Sequence, residues 1–140
     1  MSKRAREALA QVPLFAPLSP RHLKRIADVT EEHRYMEGAA VVREGDSGDT
    51  FYVILEGGAK VVSKAGRVLA QLVPGDFFGE ISLLDGGPRT ATVVATTPLV
   101  MLGLSRGAFQ KLLSTEPAVA VKLLQHVAAM LRRLERPASG

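Results

Sequence analysis

Cysteine and tryptophan are absent from this chain, and its aromatic residues are only five phenylalanines and two tyrosines. Without cysteine there are no disulfides, no thiolate metal ligands and no cysteine nucleophile. So few aromatic side chains offer no stacking platform for single-stranded nucleic acid. Because the sequence contains neither a run of eighteen apolar residues nor a leader-like pattern, we predict no membrane span and no secretion, and we expect a cytoplasmic protein.

Acidic residues are fewer than basic ones: 14 Asp and Glu against 18 Lys and Arg give a net charge of +4. A basic balance can indicate nucleic-acid binding, because clustered cations neutralise phosphates. Here much of the positive charge falls near the two ends of the chain, on segments with a helical pattern, where such residues usually form the solvated face. We therefore predict no nucleic-acid partner. These residues are Lys3, Arg4, Arg6, Arg21, Lys24, Arg25, Arg132, Arg133 and Arg136.

Serine and proline mark the start of a helix in the first third of the chain. Ser19-Pro20 combines an N-cap residue with proline at the first helical position, which predicts a helix over residues 20–31. A shorter helical pattern over residues 4–11 precedes it. With 46% hydrophobic residues, the 140-residue chain suits one domain, residues 1–140, of which residues 1–32 are predicted to be helical. The buried stripe expected on the second helix is Leu23, Ile26, Ala27 and Thr30.

From about residue 33 to residue 104 the pattern changes to short β-rich runs that are broken by glycine turns. Several short strands at such even spacing favour an antiparallel sandwich or closed roll over a parallel sheet. We therefore predict an α+β fold that is mainly β: an antiparallel, jelly-roll-like β-roll flanked by N-terminal and C-terminal helices. The predicted strands are residues 33–36, 40–43, 50–56, 59–64, 68–72, 90–95 and 98–104.

Helical patterns return over residues 105–136, as one helix over residues 105–114 and a longer one over residues 117–135. The apolar face expected on the first is Phe109, Leu112 and Leu113. The stripe expected on the second is Leu124, Val127, Leu131 and Leu134. Such a stripe can pack on the roll, form a lid or form the seam of a homodimer, and the sequence leaves these alternatives open.

Residues 78–93 put a carboxylate, a short apolar turn, two glycines and an arginine into one compact loop. Backbone N–H groups at a helix start and a guanidinium fork can hold a phosphodiester anion, and Arg89 is the candidate fork. Glu80 is acceptor-only when ionised and would repel the same phosphate, so its role fits ribose hydroxyls. We expect Arg89 to be exposed on this loop, outside the core. The loop therefore predicts a site that binds both halves of a nucleotide.

The order Gly79-Glu80, an apolar pair, then Pro88-Arg89-Thr90-Ala91-Thr92 resembles the phosphate-binding cassette of the cyclic nucleotide-binding domain family. The resemblance implies that Glu80 binds the ribose 2′-OH and that Arg89 binds an exocyclic phosphate oxygen. Backbone amides near Ser82 and Thr90 would complete the cradle, and Gly79 would let the chain approach the sugar. The implied ligand-binding set is Gly79, Glu80, Ile81, Ser82, Arg89, Thr90 and Ala91.

The same resemblance implies a sensor module that converts occupancy by a cyclic nucleotide into movement of its C-terminal helices. Its protein effector is unknown, and no cofactor besides the ligand is implied. A hydroxyl at Thr90 is compatible with cyclic AMP and with cyclic GMP, and we favour cyclic AMP. The candidates for the base-side wall are Val61, Leu69 and Phe78. The candidates for the hinge and lid are Leu112, Leu113, Leu131 and Leu134.

Enzymatic and metal-binding alternatives find little support. His22 and His126 fall on predicted helices and only His33 lies near the roll, so no cupin-like ligand spacing arises. The acidic turn at residues 44–49 is too short for a calcium loop, and Ser82 has no histidine or lysine nearby to activate it. We predict no metal site and no catalysis.

Three non-enzymatic alternatives stay open. The chain could be the sensor part of a transcription factor of the catabolite activator type, a regulatory domain cut from a cyclic nucleotide-gated channel or a kinase, or an interaction domain that binds no cyclic nucleotide. Only five residues follow Glu135, so a DNA-binding helix-turn-helix would require chain beyond Gly140.

Overall fold

The computed structural model describes residues 2–80 and 86–135. Within these residues, eight strands form two four-stranded antiparallel sheets that face each other. In sheet order, the first sheet is β1 (Glu31–Tyr35), β8 (Leu99–Ser105), β3 (Thr50–Glu56) and β6 (Phe77–Phe78). The second is β2 (Ala40–Val42), β7 (Thr92–Ala95), β4 (Ala59–Val62) and β5 (Val68–Leu72). The predicted antiparallel roll with flanking helices is confirmed.

Helices flank the roll at both ends of the chain. They are α1 (Ser2–Ala10), a 3₁₀ turn (Pro13–Phe15), α2 (Pro20–Asp28), α3 (Arg106–Thr115) and α4 (Pro117–Glu135). Ser19 and Ser105 cap α2 and α3, since each hydroxyl accepts a hydrogen bond from the backbone N–H three residues later, at 3.3 Å. None of the helices described is both long and apolar enough to cross a membrane.

Successive side chains of the central strands point to opposite faces of the first sheet, and this divides the core into two layers. In β3, Phe51 and Val53 pack with the helices, whereas Tyr52 and Ile54 pack between the two sheets. The first sheet is therefore buried on both faces, which explains why β3 and β8 are nearly continuous apolar runs. On the helix side, the Phe109 ring of α3 stacks on Phe51 with centroids 4.7 Å apart, so α3 is fixed directly to β3.

The boundary between the N-terminal helices and the roll, predicted at residue 32, was placed too late. Helix α2 ends at Asp28, where the Thr30 hydroxyl donates to the carbonyl of Ala27 at 2.8 Å and closes the last turn. The chain then enters β1 at Glu31, which pairs with Gly103 of β8. Glu31 has no apolar neighbours to mark it as a strand residue, so only the pairing partner reveals it.

The apolar stripe predicted on the last helix is not its packed face. Val119 and Leu123 are buried, whereas Leu124 and Leu131 are 67% and 54% exposed. The side chain of Leu134 lies outside the described residues. Apolar residues occupy more than one face of α4, so periodicity alone could not choose among them. Contact with α3 and with the 3₁₀ turn selects the Val119 and Leu123 face.

The strand β6 was also not predicted. It is only two residues long, Phe77–Phe78, and pairs with Tyr52 and Val53 of β3. This short pairing brings the start of the 78–93 loop against the middle of the first sheet. The position of that loop is therefore set by the core.

Candidate functional site

The backbone of Arg89 is held by the glycine turn, the name used here for residues 44–49. The Arg89 N–H donates to the carbonyl of Asp46 at 2.7 Å, and the Gly45 N–H donates to the carbonyl of Arg89 at 2.9 Å. Next to them, Ser47 and Pro88 form an isolated antiparallel bridge. The site therefore uses two segments that are distant in sequence and paired like strands.

The side chain of Arg89 turns inward and is only 6% exposed, so the expectation of an exposed loop arginine was wrong. Its Nη2 donates to the carbonyl of Thr50 at 2.9 Å, and the guanidinium lies 5.9 Å from the centre of the Tyr52 ring. Absence of a side chain at Gly48 makes room for it, because a Cβ there would overlap the guanidinium. Among the described residues, Nη1 is buried without a hydrogen-bond acceptor.

Glu80 follows Gly79, where the backbone passes close to the Thr50 carbonyl and to the side chain of Arg89. Gly79 has φ +97°, and a Cβ on it would lie 2.7 Å from the carbonyl oxygen of Thr50 and from Nη1 of Arg89, so only glycine fits. The carboxylate of Glu80 is then buried, at 6% exposure. Its Oε1 lies 3.7 Å from Nε2 of His126 on α4, while Oε2 has no partner among the described residues.

Glu80 and Arg89 are the only charged side chains that are buried within the described part of the chain. Burial raises the pKa of Glu80, opposed by a backbone hydrogen bond and by the charges of His126 and Arg89. Burial lowers the pKa of Arg89, opposed by Tyr52, Asp49 and Glu80. Two desolvated charges of opposite sign, each with a hydrogen-bonding atom that no described residue satisfies, mark a site suited to a polar ligand.

Both charges line one cavity of about 90 Å³ at the edge of the inter-sheet core. Six predicted residues meet there: Phe78, Gly79, Glu80, Arg89, Thr90 and Ala91. Three lining residues were missed: Val42, Val93 and Met130. Val42 and Val93 read as ordinary strand residues, and Met130 as an ordinary helix residue, so the sequence carried no signal for them. Predicted residues Ile81 and Ser82 lie outside the described residues.

The remaining sequence candidates do not line this cavity. Val61 packs on the inter-sheet core, and Leu69 is 57% exposed on β5. Leu112 is buried in the helix-side core, Leu113 packs against it, and Leu131 is exposed. Their assignment to a base-side wall or a lid stays a prediction. The residues of α4 that do reach the site are His126 and Met130, four apart and so on one helical face.

Comparison with protein families gives a match over residues 32–116, to the model of the cyclic nucleotide-binding domain. The chain belongs to this family. The match covers most of the roll, the described ends of the cassette and α3, so the resemblance on the cassette residues is confirmed at the level of the whole domain.

Curated relatives include the cAMP-dependent protein kinase regulatory subunit of Colletotrichum orbiculare, 41% identical over 106 residues, which are 75% of this chain and 27% of that protein. The chain thus spans about a quarter of the relative's length. Among solved structures, the regulatory domain of Toxoplasma gondii PKA with cAMP superposes with TM-score 0.82 and 26% identity, covering 92% of this chain and 50% of that one. The regulatory subunit of a cAMP-independent protein kinase A from Trypanosoma brucei gives TM-score 0.79 and 28% identity, covering 91% and 47%.

Proposed function

We propose that this cyclic nucleotide-binding domain is a sensor that binds a cyclic mononucleotide at Glu80 and Arg89 and catalyses no reaction. The observation that carries the proposal is the pair itself: two buried, opposite charges line one cavity. Each has an atom without a hydrogen-bond partner among the residues that the structure describes, Oε2 of Glu80 and Nη1 of Arg89. A cyclic nucleotide offers the matching groups, which are a hydroxyl donor on the ribose and an anionic phosphate.

Arg89 binds the phosphate in this proposal, and the Thr50 carbonyl fixes its orientation in advance. A charge-assisted hydrogen bond of this kind contributes about 1.5–3 kcal/mol. Glu80 accepts from the ribose 2′-OH, and a 2′-deoxy analogue would leave its buried oxygen unpaired, which costs about as much again. Ile81 and Ser82 complete the proposed ligand set with backbone amides.

The cavity is smaller than the ligand. Pockets for ligands of this size occupy about 300 Å³ or more, against about 90 Å³ here. Met130 of α4 forms part of the wall, so enlarging the cavity on that side requires the Met130 side chain, or the helix that carries it, to move. Where α4 itself moves, occupancy is coupled to its position, provided that the ligand has different affinities for the two arrangements. The candidate effectors are a kinase, a channel or a transcription regulator to which such a domain is joined.

Cyclic AMP is the ligand that we favour over cyclic GMP. In support, the Colletotrichum relative is named for dependence on cAMP and the Toxoplasma structure contains it. The Trypanosoma neighbour, named as cAMP-independent, has the same fold, so the ligand has to be measured. Titration calorimetry of ligand-stripped protein with cyclic AMP, cyclic GMP and linear 5′-AMP separates these cases. We expect one-to-one binding, tightest for cyclic AMP and weakest for the linear nucleotide.

The deciding experiment repeats that titration with Arg89→Ala, and with Arg21→Ala as a control for loss of an exposed arginine on α2. We expect affinity to fall by about tenfold to a hundredfold or more in the first variant and to stay unchanged in the second. Because Arg89 is buried and bonded to Thr50, a stability loss of about 1–2 kcal/mol should accompany it. Wild-type affinity in folded Arg89→Ala protein would refute the assignment.

A homodimer through α4 is proposed on a separate observation. Val121, Leu124 and Leu131 are exposed apolar residues at coiled-coil spacing, with the small Ala128 between them. Such a seam is self-complementary, and a second copy would bury it by twofold symmetry. Sedimentation equilibrium should show a dimer that Leu124→Glu dissociates and that the neighbouring exposed substitution Gln125→Glu leaves intact. A monomeric wild type at high protein concentration would exclude it.

A further inference from the structure

A groove of about 420 Å³ lies between α2 and α3 and shares no lining residue with the cavity at Glu80 and Arg89. Each helix lines it at positions i, i+3, i+4 and i+7, the spacing that puts side chains on one helical face. On α2 these are His22, Arg25, Ile26 and Val29. On α3 they are Ala108, Lys111, Leu112 and Thr115. Two helical faces thus lie side by side, as in grooves that bind a third helix.

The floor of this groove is apolar and is held in place by the core. Ile26 and Leu104 are buried in the helix-side core, and Leu104 reaches the groove from β8. Helix α3 is fixed to β3 by the stack of Phe109 on Phe51. Val29, in contrast, is 57% exposed. A further helix laid in the groove would therefore cover apolar surface without displacing any core residue.

Two cations at the groove have no acidic partner among the described residues. Arg25 on α2 and Lys111 on α3 form no ion pair with any residue that the structure describes. Asp28, the acidic residue of the lining, accepts a hydrogen bond from Nζ of Lys24 at 3.3 Å. Each wall of the groove therefore carries one unmatched positive charge, and a partner with carboxylates would supply the missing contacts.

Positive charge also prevails on the helices as a group. The acidic residues within the four helices are Glu7, Asp28 and Glu135, and every other charged residue of these helices is Lys or Arg. Such a one-sided field attracts acidic partners and repels basic ones. The charge of the whole helical side therefore favours the same kind of partner as the two cations of the groove.

A second copy of this chain does not match the groove. The exposed apolar Leu131 of its α4 is followed directly by Arg132 and Arg133. Placing that helix in the groove would bring these cations toward Arg25 and Lys111, and juxtaposed like charges disfavour association. A planar membrane surface would meet the cations of the rim but would not reach the concave floor.

We propose that the groove between α2 and α3 binds an amphipathic helix of a partner protein, with its apolar stripe on the floor and its Asp or Glu side chains on Arg25 and Lys111. Positions i to i+7 span about 11 Å, so the bound segment needs about two to three helical turns. The groove is separate from the nucleotide cavity, and the inference does not rest on the proposed function. It adds a protein-docking surface to the domain.

The test begins with a phage-displayed library of random peptides of about 16 residues, long enough for the helical turns required. The library is selected on the immobilised whole chain without nucleotide. We expect the enriched peptides to share apolar residues at helical spacing with Asp or Glu beside them. Fluorescence anisotropy of one enriched peptide, labelled with fluorescein, then gives its dissociation constant for each variant.

A charge-reversed double variant, Arg25→Glu with Lys111→Glu, tests the two cations. Both residues are exposed, so the protein should stay folded. We expect the dissociation constant of the peptide to rise about tenfold or more. The control, Arg21→Glu with Arg132→Glu, changes the net charge equally at exposed positions outside the groove. It should raise the constant by less than about threefold at physiological salt.

Val29→Ala tests the apolar part of the site. It removes exposed methyl groups that the bound helix would cover, so the dissociation constant should rise about threefold to tenfold. Val68→Ala on β5 is the matched control, since Val68 is 48% exposed and lies outside the groove. Its constant should equal that of wild type.

Other outcomes would overturn the docking site. Selection that enriches no peptide, or enriches basic peptides, would exclude an acidic helix as the occupant. Equal weakening in the two charge-reversed variants would show long-range attraction without a site, and an unchanged constant in Val29→Ala would show that the floor is not used. Displacement of the peptide by phosphatidylglycerol vesicles would assign the cations to a membrane. A dimer that Arg25→Glu with Lys111→Glu dissociates in sedimentation equilibrium would assign the groove to a second copy.

Discussion

Gly48 and Arg89 share one volume: the guanidinium of Arg89 occupies the place where a side chain at Gly48 would begin. The two residues are 41 positions apart in sequence, and the glycine turn brings them together by its pairing with the segment around Pro88. Gly48 is not at a positive φ, so its requirement for glycine is steric rather than conformational.

Gly48→Ala should therefore displace the Arg89 side chain while leaving the backbone intact. The atoms in the way belong to the flexible end of Arg89, which can move, so we expect a folded protein whose cyclic AMP affinity falls about tenfold or more. Gly107→Ala on α3 is the matched control, because a Cβ there meets nothing within 4 Å. Equal affinities of both variants and wild type would show that Arg89 does not need its present position.

Glu80→Gln should raise stability at neutral pH. Burial raises the pKa of Glu80, so the folded state binds the carboxyl proton more tightly than the unfolded state does. Wild type therefore loses stability as pH rises from the ordinary carboxyl pKa, about 4.3, through the raised value in the folded state. The neutral amide avoids this loss, so its advantage should be present at pH 7.5 and vanish near pH 4.

Denaturant unfolding of ligand-free protein at the two pH values measures this difference. Glu37→Gln, an exposed substitution between β1 and β2, should show no such pH-dependent advantage. A Glu80→Gln variant that is less stable than wild type at pH 7.5 would contradict the cost assigned to the buried carboxylate. The same variant should bind cyclic AMP more weakly. The substitution that raises stability at this residue should therefore lower ligand affinity.

Tyr52 should support Arg89 through its ring rather than through its hydroxyl. The guanidinium lies 5.9 Å from the centre of the Tyr52 ring, and the same ring stacks on Phe78 with centroids 5.1 Å apart. Tyr52→Phe keeps both contacts and should leave affinity within about twofold. Tyr52→Leu should weaken it by about fivefold to thirtyfold, because a cation–π contact between buried groups contributes about 1–2 kcal/mol. Calorimetry on both variants decides between ring and hydroxyl.

Phe109→Ala should be the most destabilising of these changes. Phe109 is fully buried and stacks on Phe51, so truncation leaves a cavity where α3 meets β3. We expect a loss of about 3–5 kcal/mol in the free energy of unfolding. Gln110→Ala, on the exposed face of the same helix, should change it by less than about 0.5 kcal/mol. Urea unfolding of both variants gives the comparison.

The elements that the sequence predicted well are those whose signal is local. Ser19 and Ser105 marked helix starts by capping chemistry. Residue types in a fixed order singled out Glu80 and Arg89, which line one cavity, while their roles toward a ligand stay a prediction. The burial of Arg89 could not be predicted, because it depends on space left by Gly48 and on the Thr50 carbonyl, both distant in sequence.

The sequence did not predict features that depend on strand pairing or on which of several apolar helix faces is buried. The two-residue strand β6 exists only because β3 accepts it, and no pattern of period two can be read from two residues. On α4, several apolar faces compete, and contacts with α3 decide which is buried. His126 and Met130 lie on that helix without any motif, so their place beside the cassette is a product of packing.

The length of the glycine turn is constrained by its hydrogen bonds, although the turn lies at the surface. Besides holding Arg89 through Gly45 and Asp46, it accepts the backbone N–H of Arg106, the first residue of α3, at the carbonyl of Asp49. Surface turns commonly tolerate inserted residues. This one is bonded at both ends to different elements, so a single inserted residue would force the cassette or α3 out of register. Peptide tags and fluorophore insertions should accordingly be tolerated at the turn around Gly66 and rejected at residues 45–49.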